Sequence, residues 1–266
     1  MRIVLALLFA VASSTAGAGT IGSDSRLAIA DYAKAHNTEE LAARKLFAAS
    51  GRIMCPFNAA SAFLVYRNDI VLTARHVVMP EPSMNFYAFN SRPGSCSFEV
   101  STDGVTSTWY EADMKAVIYP ESKQRSFTDR FDWIVMKLVK PIPDIVPYGL
   151  ADAAPTTDED VTMVTLRQED FQVDWNERVV EDCKIKKVID IDAIADSGLK
   201  LDCSADHGSS GGVVARRGPQ GLEAVGIQSS MSIGACPKFN ATTCYSFAVG
   251  ISEDVKKAIR TLAGEP

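Results

Sequence analysis

Residues 205–214, "ADHGSSGGVV", place two adjacent serines in a run of glycines. A serine hydroxyl is a weak nucleophile until a neutral imidazole takes its proton. The chain offers only three histidines, His36, His76 and His207. His76 lies in "IVLTARHVV" (70–78), a β-branched run entering a small-residue turn. A carboxylate is then needed to hold the imidazole tautomer and to stabilise the imidazolium. Asp132 suits that role, because it directly precedes the apolar run in "FDWIVMKL" (131–138). Asp129 is a rival without an apolar strand directly behind it, and Asp132 has an alternative use as the ion-pair partner of Arg130. Gly208 leaves the backbone free to aim its N–H, together with that of Ser210, at a developing oxyanion. Each group alone has a plain structural explanation as a strand-end or loop residue. Their joint occurrence points to nucleophilic catalysis. His36 reads as a surface residue, and His207 as an exposed loop residue, with the pocket mouth as the alternative.

Chain order narrows the chemistry. A Ser/Gly elbow of the α/β-hydrolase kind needs a histidine after the serine, and none follows His207. This disfavours a lipase or esterase. A subtilisin-like order runs Asp, His, Ser, whereas the order here is His76, Asp132, Ser. In that order the three stretches resemble the chymotrypsin/trypsin clan of serine proteases, over roughly residues 51–251. The clan shows T-A-A-H-like, D-I-A-L-like and G-D-S-G-G-P-like stretches. The resemblance makes Ser210 the nucleophile, since it directly precedes Gly211 and Gly212, and sets Ser209 where the clan usually has Asp. Arg75 stands where Ala is common and Val213 where Pro is common; neither removes a catalytic atom.

Within the clan the chain looks more like the bacterial glutamyl-endopeptidase-type branch. No Cys directly follows His76, where trypsins usually carry one, and "DCSADHGSSGG" (202–212) resembles that branch. "GIQSSMS" (226–232) is similar to the strand that pairs with substrate backbone. Gln228, Ser229, Ser230 and Met231 are therefore the expected substrate-binding residues. Gln228 stands where glutamyl endopeptidases carry the histidine that recognises acidic side chains, so strict glutamate specificity is not expected. Asp206 would suit a basic preference, but the Cys203–Ser210 spacing is longer than in trypsins. Ser209 has no charge to attract a newly made N-terminal ammonium. No activation switch of that kind is expected, and the oxyanion hole should be ordered by local hydrogen bonds.

The rest of the chain must position these groups. Met1-Arg2, the apolar "IVLALLFAV" (3–11) and "AGA" (16–18) read as a signal peptide cut after Ala18. The apolar run is shorter than the roughly 20 residues that span a bilayer. Export agrees with six cysteines, an even count suited to disulfides. No C-x-x-C pair suggests zinc, and neither metal nor cofactor is implied. Six cysteines allow fifteen pairings. Local geometry favours Cys183 with Cys203 across a hairpin and Cys236 with Cys244 around a short loop, which leaves Cys55 with Cys96. A net charge of −6 without a basic run argues against nucleic acid or an anionic membrane as partner. The expected partner is a peptide or protein substrate, and the expected state is monomeric.

Residues 19–50 read as a helical segment lying on the body, with a leader or propeptide as the alternative. Asn37 with Glu40 resembles a capping box, Leu41, Leu46 and Phe47 supply apolar positions, and Gly51 suits a helix stop. Beyond Ile53 come short β-rich runs at 61–66, 69–74 and 133–139, then a Pro- and acid-rich linker at 140–160. Further runs follow at 161–167, 176–189, 198–203, 211–217, 222–230 and 244–251. The tail 252–263 reads as an amphipathic helix capped by Ser252. The expectation is an all-β fold: two antiparallel β-barrels of the chymotrypsin-like kind, with an N-terminal helical segment and a C-terminal helix. The first barrel is expected over 51–145, with His76 and Asp132, and the second over 146–266, with Ser210. The expected activity is a secreted serine endopeptidase working through an acyl-enzyme. The alternative is a catalytically silent homologue that binds peptides or proteins.

Overall fold

A computed structural model describes residues 19–56, 58–79, 95–101, 106–120, 130–166, 178–189, 198–232, 234 and 236–265. The signal segment, Asp129 and most of the turn expected at 196–198 lie outside them. Residues 19–26 lead into strand β1 (Leu27–Ala28), followed by helices α1 (Ile29–Ala35) and α2 (Glu40–Leu46). Six strands come next: β2 (Ser50–Cys55), β3 (Asn58–Leu64), β4 (Ile70–Thr73), β5 (Ser97–Ser101), β6 (Ser107–Ile118) and β7 (Ile134–Leu138). Between β4 and β5 lies one turn of helix, α3 (Arg75–Val78). Strand β8 (Gly149–Leu150) then introduces β9 (Glu159–Leu166), β10 (Arg178–Ile189), β11 (Gly198–Leu201), β12 (Val213–Gly218), β13 (Gly221–Met231) and β14 (Ser246–Gly250). The chain ends in α4 (Glu253–Ala263).

These strands form two closed six-stranded antiparallel barrels. The first has the order β2-β3-β4-β7-β6-β5, with β5 returning to β2. The second runs β10-β11-β14-β13-β12-β9, and the β10–β9 pairing closes it. Closure removes the exposed edges that a β-sheet otherwise presents. Every residue of β4 is buried, as are Ile134, Val135 and Met136 on β7, as expected of strands covered on both faces. A fully buried Leu, Ile or Phe contributes roughly 1.5–3 kcal/mol. Phe63, Leu64, Ile70 and Leu72 are all 0% exposed. The hairpin β3–β4 turns at Arg67-Asn68, between the runs expected at 61–66 and 69–74; Tyr66 takes φ +66° and Arg67 bonds Asp69.

The N-terminal segment is helical over α1 and α2, as expected, but differs from the expectation in its first ten residues and its caps. Residues 19–28 form no helix, and β1 pairs with Val179 and Val180 of β10 on the second barrel. Asn37 does not cap α2: it takes φ +49° just beyond the C-terminus of α1, and Glu39 occupies the N-cap position without a side-chain bond. Gly51 ends no helix. It lies in β2, and a Cβ there would strike the Glu99 carbonyl of β5. Of the expected apolar positions Phe47 is buried, but Leu41 and Leu46 are exposed. The segment 140–160 is no loose linker, because Ile142, Ile145 and Tyr148 are buried and β8 joins the second sheet beside β13. The C-terminal helix is confirmed. Ser252 Oγ accepts from the Val255 N–H and Gly264 closes the helix at φ +82°. It packs on β4, β6 and β7, so it belongs spatially to the first barrel. No helix among the described residues is long and apolar enough to cross a membrane.

All six cysteines are paired as Cys55–Cys96, Cys183–Cys203 and Cys236–Cys244. The first joins β2 to the start of β5. The second joins β10 to the residues just beyond β11, and so anchors the loop that enters the Ser/Gly stretch.

Candidate active site

The residues singled out from the sequence come from both barrels. His76 is carried by α3, directly after β4. Two bonds fix it to Asp132: the His76 backbone N–H donates to Oδ1 at 2.9 Å, and Nδ1 meets Oδ2 at 2.8 Å. The carboxylate therefore orients the ring through Nδ1, with Nε2 on the opposite side of the ring. Asp132 is 6% exposed. Burial pushes its carboxyl up, but the facing His76, together with hydrogen bonds from His76 and Ser229, outweighs this and holds it below the usual carboxylate range. The Ser229 hydroxyl donates to Oδ2. Sequence reasoning assigned Ser229 to the cleft and missed this contact; a serine pair in a strand does not show which hydroxyl points inward.

Ser210 sits on a turn held by backbone bonds at both ends. The Ser209 N–H donates to the Asp206 carbonyl at 3.0 Å, and the Gly212 N–H to the Ser209 carbonyl at 2.9 Å. The Gly211 N–H donates to the Gln228 carbonyl at 2.7 Å, and the Gln228 N–H to the Gly212 carbonyl at 2.8 Å. Gly211 takes φ +83°, and a Cβ there would strike Thr73 Oγ1 and the Ser61 carbonyl. The turn thus presses directly against β3 and β4 of the first barrel, beside His76. A glycine is needed for both the conformation and the close approach. Ser61 secures the same contact. Its N–H and hydroxyl both donate to the Gly208 carbonyl, at 3.0 and 2.6 Å, and its oxygen accepts from the Leu166 N–H at 2.8 Å. No motif announced Ser61; the only trace was a small polar residue opening the apolar run "SAFLVY".

The Ser210 hydroxyl donates to the Ser229 carbonyl at 3.3 Å. Gly208 has φ +86°, and among the described residues neither its N–H nor that of Ser210 donates a hydrogen bond. Two donors flanking the Ser210 turn are therefore available to an incoming oxyanion. Ser209 is buried, with Oγ accepting from the Asp206 N–H at 3.0 Å. Gln228 and Ser229 are 1% and 3% exposed, whereas Ser230 and Met231 are half-buried. Gln228 Nε2 donates to the Ser230 carbonyl at 2.8 Å. His207 is exposed, with its N–H on Asp206 Oδ1. His36 is half-exposed, 3.0 Å from Asp182 and stacked on Tyr32. Both lie outside the cluster. No group of His, Cys, Asp and Glu among the described residues is arranged to hold a metal.

A trypsin-like peptidase domain matches residues 60–227, which include His76, Asp132 and Ser210. The chain belongs to the trypsin-like peptidase family. Among solved structures, the peptidase is similar to a Glu endopeptidase in complex with MPD, with a TM-score of 0.67 at 10% identity. The match covers 92% of this chain and 100% of that one. At that identity the likeness establishes the fold, which is chymotrypsin-like. No curated protein matches the sequence of the peptidase.

Proposed function

We propose that the protein is an exported serine endopeptidase that hydrolyses peptide bonds through an acyl-enzyme on Ser210. The observation that carries this reading is the two-point attachment of His76 to the buried Asp132, beside a nucleophile turn pressed onto the same barrel. In the reaction, Ser210 Oγ leaves the Ser229 carbonyl and passes its proton to His76 Nε2 as it attacks the scissile carbonyl. Asp132 stabilises the imidazolium, with Ser229 sharing its negative charge. The Gly208 and Ser210 N–H groups receive the oxyanion, and such a donor is worth roughly 2.7–4 kcal/mol. His76 then protonates the leaving amine, and water attacks the acyl-enzyme by the same route. No metal or organic cofactor takes part.

The end of β13 offers its backbone to substrate at Ser230 and Met231, with Gln228 and Ser229 buried behind it. A glutamine in place of the histidine of glutamyl endopeptidases makes strict glutamate specificity the less favoured outcome. The first eighteen residues direct export, and the three disulfides suit an extracellular or periplasmic site. One observation favours a second reading, a silent peptide-binding homologue: the Ser210 hydroxyl is engaged by the Ser229 carbonyl. A fluorophosphonate probe separates the two. Labelling of the wild type at Ser210, absent in His76→Ala, supports the peptidase. A protein that binds peptides but never labels supports the homologue.

A further inference from the structure

The loop from Ser204 to Ser210 carries the nucleophile and both oxyanion donors. Ser209, the residue before the nucleophile, is neutral, so what orders this loop must be sought elsewhere. The N-terminal arm, residues 19–28, lies along it. The Ala205 N–H donates to the Gly19 carbonyl at 3.3 Å, and the Ile21 N–H to Ser204 Oγ at 3.2 Å. Cys236 fixes the arm from the far side by accepting from the Gly22 N–H and donating to the Thr20 carbonyl. Ser25 Oγ donates to Glu181 Oε1 at 2.6 Å, and Glu181 Oε2 accepts from the Ser204 N–H at 2.7 Å.

At the centre of this contact is Arg26, whose side chain is 3% exposed. Its Nε and Nη2 donate to Asp24, both at 2.8 Å. Its Nη1 faces Asp206 Oδ2 at 3.5 Å. Asp206 is the residue through which the loop is organised. Its Oδ1 accepts from the His207 N–H, its carbonyl from the Ser209 N–H, and its N–H donates to Ser209 Oγ. Asp206 thus bonds both His207 and Ser209, the two residues that flank Gly208. That carboxylate is 9% exposed, and a charge so far removed from water needs a partner.

We propose that Arg26 is a positioning residue for the oxyanion hole, acting through Asp206, and that the arm makes the hole a permanent part of the folded chain. This rests on the peptidase reading. The guanidinium remains charged throughout the working pH range, so the device has no zymogen state to leave. Without it, Asp206 turns toward water, the turn from Asp206 to Ser209 loses its anchor, and the Gly208 and Ser210 N–H groups lose their alignment.

The test compares wild type with Arg26→Gln, Arg26→Lys and Asp206→Asn, far below their melting temperatures and with all disulfides intact. The readouts are fluorophosphonate labelling rate and peptide-ester kinetics. Misaligned donors are expected to lower kcat about 10- to 100-fold in Arg26→Gln, with KM changed less than about 3-fold. The labelling rate falls in parallel, and Arg26→Lys recovers a substantial part of it. Asp206→Asn leaves the arm and its Arg26–Asp24 pair in place, so it reports even if Arg26→Gln folds poorly. It should give the same kcat loss, and the double variant should be no worse than the worse single one. Labelled wild type with kcat of Arg26→Gln or Asp206→Asn unchanged within twofold overturns the inference alone. So does a loss confined to KM. An unlabelled wild type overturns the peptidase reading and the inference with it.

Discussion

Glu181 gives the most direct measure of how the arm is held. It is 3% exposed and bridges the arm to the nucleophile loop. Burial pushes its carboxyl up to about 7, against hydrogen bonds from Ser25 and Ser204 and the charge of Arg26. The ordinary value is 4.5. At 1.36 kcal/mol per pH unit, that gap is worth about 3 kcal/mol. The folded state holds the proton more tightly than the unfolded one. This contribution is therefore complete below about 4.5, declines as the pH rises, and is lost above about 7. A glutamine at 181 mimics the protonated acid: its carbonyl accepts from the Ser204 N–H and its amide donates to Ser25 Oγ. Glu181→Gln should therefore be close to wild type near pH 4.5 and more stable by about 2–3 kcal/mol near pH 8. Urea unfolding followed by tryptophan fluorescence from pH 4.5 to 8.5, in a Ser210→Ala background that prevents autolysis, measures the difference. A difference that does not change with pH, or one that favours wild type as the pH rises, refutes the reasoning.

Three further outcomes are expected. Ser210→Ala abolishes fluorophosphonate labelling, whereas Ser209→Ala keeps part of it and costs about 1–3 kcal/mol for the Asp206 N–H left unpaired; the reverse pattern would assign the nucleophile to Ser209. Gly211→Ala, at φ +83° against Thr73 and Ser61, should lower labelling at least about 100-fold and destabilise by several kcal/mol, read by thermal melts. Cys183→Ser with Cys203→Ser should cost about 3 kcal/mol in urea unfolding, the value for a loop of this length; an unchanged midpoint would contradict that.

The sequence displayed best what depends on local pattern. The β3–β4 hairpin, the C-terminal helix and the buried strands β4 and β7 could be read because apolar runs and turn residues coincide there. The cysteine pairs followed from hairpin proximity and elimination. His76, Asp132 and Ser210 were singled out by order and flanking residues, and the structure joins His76 to Asp132 and sets the Ser210 turn against the same barrel. Strand β6 was missed because its twelve residues are mostly half-exposed or exposed, so no alternation of apolar residues marks it. The arm was taken for helix because residues 19–28 have little pattern of their own; their conformation is imposed by β10 and the nucleophile loop. The same holds for the Arg26–Asp206 contact and for Ser61, whose importance lies in partners far along the chain. Arg178 is a further case. Its guanidinium donates to the carbonyls of Phe47 and Ser101 across the barrel boundary. Burial lowers it to about 10. Nothing around "NERVV" signals a buried cation.

Among the described residues, the N-terminal arm and α4 are each fastened to the barrel that is remote from them in sequence. The arm pairs Leu27 with Val180, and α4 lies on strands made long before it, where Arg67 donates to the Ala263 carbonyl at 2.7 Å. Such contacts close very long loops and form late in folding. A chain made N-terminus first therefore carries the arm unattached until β10 and the 204–210 loop have followed. Either barrel can collapse on its own local pairings earlier. The 204–210 loop acquires its outer wall only once the arm has docked on it. During refolding, labelling of Ser210 should accordingly lag behind the fluorescence change of barrel formation, and simultaneous recovery would contradict this order. Topology then serves as a clock: the 204–210 loop is completed only after the barrel strands that frame it.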